Sequence, residues 1–112
     1  MRTLVVIVTI VVAGLACGPA PRVDRTGRAD TVAALTGDAA AGKAVYDANC
    51  GGCHGAQGKG GVGKSLFPEF NGLTNGEVAT VVLNGQGLMG AKATLSDQQI
   101  ADLIAHGRAT FR

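Results

Sequence analysis

Cys50, Cys53 and His54 stand in the order C-G-G-C-H, inside a stretch that reads NCGGCHGAQGKGGVGKS from Asn49 to Ser65. Two thiols three positions apart, followed at once by an imidazole, form the attachment signature of a c-type haem. The thiols can form thioethers with the two vinyl groups of one porphyrin, and the imidazole can take an axial position on its iron. The same stretch also satisfies the phosphate-binding pattern G-x-x-x-x-G-K-[ST] from Gly58 to Ser65. One motif means haem chemistry and the other nucleotide binding.

Context separates them. A phosphate loop must follow a buried β-strand and open a helix, so that backbone N–H groups and the helix dipole meet the phosphate. CGGCHGAQ, residues 50–57, has three glycines and no β-branched residue, and only 47 residues follow Ser65, too few for the parallel sheet such a loop serves. The glycines instead let this loop bend tightly and pass close to something flat. A redox dithiol would need a βαβ setting that is absent. Zinc would need two more ligands, and outside the motif the chain offers only Cys17 and His106. A plain disulfide between Cys50 and Cys53 is the simplest remaining rival to one covalent haem c. For the second axial position the chain offers one Met besides Met1. Met89 lies in the glycine-flanked run NGQGLMGA, where there is little core for a thioether to fill, so the ligand reading is preferred to core packing.

Helices must position these groups. Asp38 is placed to cap a helix running to about Asn49, with Gly42, Val45, Tyr46 and Asn49 on one face. Thr74 and Glu77 form a capping box for a second helix that stops at Gly85. Ser96 and Gln99 form another for a third, with Leu95 stapled to Ile100 and an apolar stripe through Leu103 and Ile104. Gly107 is expected to fray its end. No convincing strand is visible, so the fold class is all-α. Eighteen glycines, one Tyr, three Phe and no Trp are a poor inventory for a self-sufficient core, which a large apolar cofactor would complete.

The start of the chain reads differently. Met1-Arg2 precedes an unbroken small and apolar run, Leu4–Ala16, too short for a comfortable membrane span but suited to an export signal over residues 1–16. Cys17 follows directly. Lipidation of Cys17 is the expected outcome, with ordinary cleavage after Ala16 or an uncleaved anchor as alternatives. Residues 17–36, with prolines and arginines, read as a flexible tether, and 37–112 as the domain. The domain holds six basic and six acidic residues, and the whole chain has a formal charge of +2. That balance does not suggest a nucleic-acid partner.

With these residues in place the chain resembles the small class I c-type cytochromes from about Gly37 to Arg108. Gly42 and Tyr46 resemble the glycine and aromatic of the family's first helix, which crosses the last. Cys50, Cys53 and His54 match its haem signature, FPEFNG (Phe67–Gly72) its F-P-x-L-x-G loop, and VVLNGQGLMG its axial-Met segment. The resemblance implies three main helices and glycine-rich loops around one covalent haem. It implies His54 and Met89 as axial ligands, and a backbone carbonyl around Pro68 accepting the N–H of the His54 ring. It implies an electron carrier rather than an enzyme, or a subunit of an oxidoreductase complex, with transient redox proteins as partners. The expected location is the periplasmic side of a bacterial membrane, anchored there if Cys17 is lipidated. Two departures stand out. Gly90 replaces the proline that usually follows the ligand Met, and His106-Gly107 replace an aromatic and an aliphatic residue. The first keeps a second function in view: an open or labile sixth site for small-ligand binding, sensing or peroxide chemistry. Lys59, Lys64 and Lys92 read as ordinary solvated charges rather than a docking rim.

Overall fold

The computed structural model describes residues 22–67 and 69–112. The expected export signal, Cys17 and Pro68 lie outside them. Among the described residues there are six helices: α1 (Ala29–Ala34), α2 (Ala39–Asn49), α3 (Gly51–His54), α4 (Glu69–Gly72), α5 (Asn75–Asn84) and α6 (Asp97–Thr110). The β-structure there is a single bridge between Gln86 and Met89.

The three long helices start where their side chains can satisfy free N–H groups. Asp38 accepts from the amides of Ala40 and Ala41 at 2.9 and 3.4 Å. Thr74 with Glu77, and Ser96 with Gln99, form complete capping boxes. Gly85 closes α5 at φ +77°, as its position predicts.

The principal contact is the crossing of α2 over α6. A Cβ at Gly42 would overlap the Asp102 carbonyl, so glycine here lets two backbones meet. Asp102, at the same crossing, is buried and accepts from the Asp38 amide at 2.8 Å and from Gln98 Nε2 at 2.9 Å. Both partners are needed, because a buried carboxylate without donors is expensive.

Gly107 does not fray α6. The helix runs on to Thr110, and a Cβ at Gly107 would overlap the Phe70 ring. The glycine is a seat for an aromatic. Phe111, not singled out from sequence, gathers the cluster. It is 1% exposed, and its ring lies 5.2 Å from Tyr46, 5.4 Å from Phe70, and 5.7 Å from both Phe67 and His106. Tyr46 and His106 pack at 5.4 Å, tilted by 45°. Tilted and edge-on geometries suit aromatic quadrupoles.

Where a tether was expected, residues 22–36 lie on the domain. Ala29 and Val32 are buried, and α1 contacts α5 and α6. No helix among the described residues is long and apolar enough to cross a membrane.

Candidate haem site

Cys50 ends α2, and its amide donates to the Tyr46 carbonyl at 2.8 Å. The chain turns at once into α3, whose four residues Gly51–His54 carry Cys53 and His54. This single turn puts the two sulfurs three residues apart on one helical path, the spacing that lets both reach one rigid ring. Both are free thiols, Cys50 half-buried and Cys53 exposed. Burial pushes the Cys50 thiol up to about 11, against the opposing pull of the Lys92 charge. Cys50 is therefore held in its protonated form at neutral pH.

His54 is oriented from behind. Its Nδ1 lies 2.7 Å from the Lys64 carbonyl oxygen. A carbonyl only accepts, so Nδ1 carries the proton and Nε2 keeps the lone pair that can bind a metal. Among the described residues the carbonyl that meets the ring is that of Lys64, four residues before Pro68, which lies outside them. Tyr46 adds a second restraint. Its hydroxyl donates to the Gly55 carbonyl at 2.6 Å, pinning the residue after His54 to α2. Neither contact had a signal in the sequence beyond the presence of the residues.

The glycine-rich loop after His54 folds back beneath it. The amide of Gly60 donates to the His54 carbonyl and that of Gly63 to the Cys53 carbonyl, both at 2.7 Å, and that of Gly61 to the Gly63 carbonyl at 2.9 Å. These N–H groups are the ones a phosphate loop would turn toward phosphate; here the chain uses them itself. The stretch follows α3 rather than a strand. Among the described residues no group of three His, Cys, Asp or Glu could hold a metal ion.

Met89 sits between α5 and α6 in a tight turn. Gln86 and Met89 exchange backbone hydrogen bonds at 3.0 and 2.9 Å, and the Lys92 amide donates to the Val82 carbonyl at 2.8 Å. Met89 is half-buried, while Leu88 beside it and Val62 in the other loop are fully exposed. Lys64 is paired with Glu69 at 2.6 Å. His106 lies in the aromatic cluster with Nε2 unpartnered. The donor set of the site suits haem: two cysteines three residues apart, unpaired with each other, and an imidazole presenting Nε2. A loop thioether is the further donor available.

Residues 37–106 match the model of a family described as cytochrome C oxidase, cbb3-type, subunit III. The chain is 47% identical over 47 residues to cytochrome c-554(547) of Halothiobacillus neapolitanus, covering 42% of this chain and 48% of that one. It thus spans about half the length of that relative. It is 44% identical over 76 residues to cytochrome c6 of Leptolyngbya boryana, covering 62% of this chain and 88% of that one. Among solved structures, cytochrome c6 from the diatom Phaeodactylum tricornutum superposes with a TM-score of 0.55 at 30% identity, covering 65% of this chain and 93% of that one.

Proposed function

Because the chain belongs to the c-type cytochrome family that matches it over residues 37–106, we propose that it carries single electrons on one haem c joined to Cys50 and Cys53, with His54 and Met89 as axial ligands. The observation that carries this reading is the 2.7 Å contact of His54 Nδ1 with the Lys64 carbonyl, which leaves Nε2 with the lone pair that a haem iron needs. Bound haem supplies a one-electron ferric–ferrous couple. The chain supplies the rest. Cys50 and Cys53 would fix the porphyrin edge, the Lys64 carbonyl holds the imidazole against rotation, and Tyr46 holds the backbone beside it. With His54 and Met89 both holding the iron, no position would be left on it for a substrate. Val62 and Leu88, exposed on the two loops that carry the site, offer apolar contact to a redox partner over a small interface.

The setting we propose is the exported face of a bacterial membrane. The basic start and apolar run of residues 2–16 support it, and lipidation of Cys17 would hold the protein there. Mass spectrometry of the mature N-terminus tests this; an unmodified Cys17 or a retained signal removes the anchor. The family description names an oxidase subunit, and a free carrier and a complex subunit are both compatible with this site.

The decisive test of ligation is a visible spectrum of the exported, haem-loaded protein, oxidised and reduced, with and without carbon monoxide. A low-spin reduced spectrum unmoved by carbon monoxide, with a ferric sulfur–iron charge-transfer band, is expected. A spectrum that shifts readily with carbon monoxide overturns Met89 ligation and replaces electron transfer with small-ligand binding at an open sixth site.

A further inference from the structure

The segment that precedes the family-matched region is tied to both ends of the Met89 turn. At its start stands Asn84, the last residue of α5. Asn84 Nδ2 donates to Asp24 Oδ1 at 2.9 Å, and Asn84 Oδ1 accepts from the Arg25 amide at 2.9 Å. At its end, one guanidinium makes three contacts. Arg28 Nε meets Asp97 Oδ1, Nη1 donates to the Ala93 carbonyl and Nη2 to the Leu95 carbonyl, each at 2.7 Å.

The segment is itself fixed. Asp24 accepts from the Thr26 amide at 3.0 Å, the Thr26 hydroxyl at 2.6 Å and the Ala29 amide at 2.9 Å. These donors hold its carboxyl well below the usual carboxylate range, the Thr26 side chain first and Asn84 second. Val32 and Ala29 anchor α1 on α5 and α6. Between the two ties, the other described contacts of the turn are its own backbone bonds, the Lys92–Val82 bond and a 3.4 Å bond from Arg22 Nε to Gln86 Oε1. Gly90, beside Met89, has open space around it and adds no rigidity.

We propose that residues 22–36 clamp the Met89 turn at two points, with Asp24 and Arg28 as positioning residues that supply the stiffness a proline after Met89 would otherwise give. The proposal rests on the reading of Met89 as an axial ligand. A planar fork holding two carbonyls and a carboxylate is a charge-assisted, directional restraint, which a lysine cannot reproduce. It fixes where the backbone of the turn leaves and rejoins the helices, and so how often the thioether lets go.

The test uses full-length, haem-loaded protein and the variants Arg28→Gln, Arg28→Lys, Asp24→Ala and Met89→Ala. Hydrogen exchange is followed in residues 85–95, with α2 and α6 as internal references, and imidazole binding to the ferric protein is titrated. Arg28→Gln and Asp24→Ala are expected to speed exchange in 85–95 about tenfold while α2 and α6 stay unchanged. Arg28→Lys, which keeps the ion pair but not the fork, should fail to restore it. Imidazole affinity should rise in the same variants toward the limit set by Met89→Ala. Unchanged exchange in 85–95, or a rise shared equally by α2 and α6, overturns the clamp. If the parent protein already binds imidazole as well as Met89→Ala, it is the ligand reading that fails, and the exchange result alone decides the clamp.

Discussion

Tyr46 shows how much can hang on one side chain. Its ring belongs to the aromatic cluster, and its hydroxyl holds the Gly55 carbonyl beside His54. Tyr46→Phe keeps the ring and deletes the hydrogen bond. A loss of about 1 kcal/mol in folding stability is expected, measured by denaturant titration of the haem protein. His106 makes a prediction in pH. It is 7% exposed with Nε2 unpartnered, and burial lowers its pKa; the nearby Asp47 carboxylate works against that shift and the Lys43 ammonium with it. The native state therefore binds a proton less readily than the unfolded chain, whose histidine titrates near 6.5. The stability that neutral His106 contributes is complete above pH 6.5 and declines as pH falls from there toward the native pKa. Asp24, Glu69 and Glu77, with lowered pKa values, withdraw their contributions only at more acid pH. Denaturation midpoints should thus fall between pH 7 and about pH 5, and His106→Phe should flatten that slope. Residues whose role depends on their own chemistry were legible in sequence: Cys50, Cys53 and His54 are adjacent and carry their meaning in their types. The carbonyl of Lys64 was not, because every residue has one and only the fold selects which faces His54.

Elements were legible where they begin and less so where they touch. Asp38, Thr74–Glu77 and Ser96–Gln99 each announce a helix start, because a cap acts within one turn. Gly107 reads as a weakness until Phe70 is placed against it, and that contact joins elements far apart in the chain. The α2–α6 crossing gives the sharpest test. At Gly42 the obstacle to a side chain is the Asp102 backbone, which cannot rotate aside. Gly42→Ala should destabilise by about 1–3 kcal/mol through overpacking, seen as a Tm lower by roughly 4–8 °C for each kcal/mol. Gly72→Ala, at the end of α4 with open space around it, is the control and should leave Tm unchanged or slightly raised.

At the scale of the molecule, the unit that folds is larger than the unit the family match outlines. Residues 22–36 looked like a tether because six helical residues next to arginines carry no convincing periodicity. Their order comes from Arg28, Asp24 and Val32 meeting α5, α6 and the Met89 turn, which no local pattern encodes. A chain beginning at Gly37 would expose the surface that Val32 and Ala29 cover and would lose the Arg28 fork. Burial of one valine alone is worth about 1.5–3 kcal/mol, so this truncation should lower Tm by roughly 10 °C in thermal unfolding.

The α2–α6 crossing also has a meaning in time. It joins residue 42 to residue 102, and Cys50, Cys53, His54 and Met89 all lie on the chain between those points. One contact between two helices therefore closes a single large ring of polypeptide around the whole ligand set. The entropy of closing such a ring depends only weakly on its length. The chain can thus hold long, glycine-rich spans inside the ring at little extra thermodynamic cost, and spend them on shaping loops. Closure is slow to find because its partners are distant in sequence.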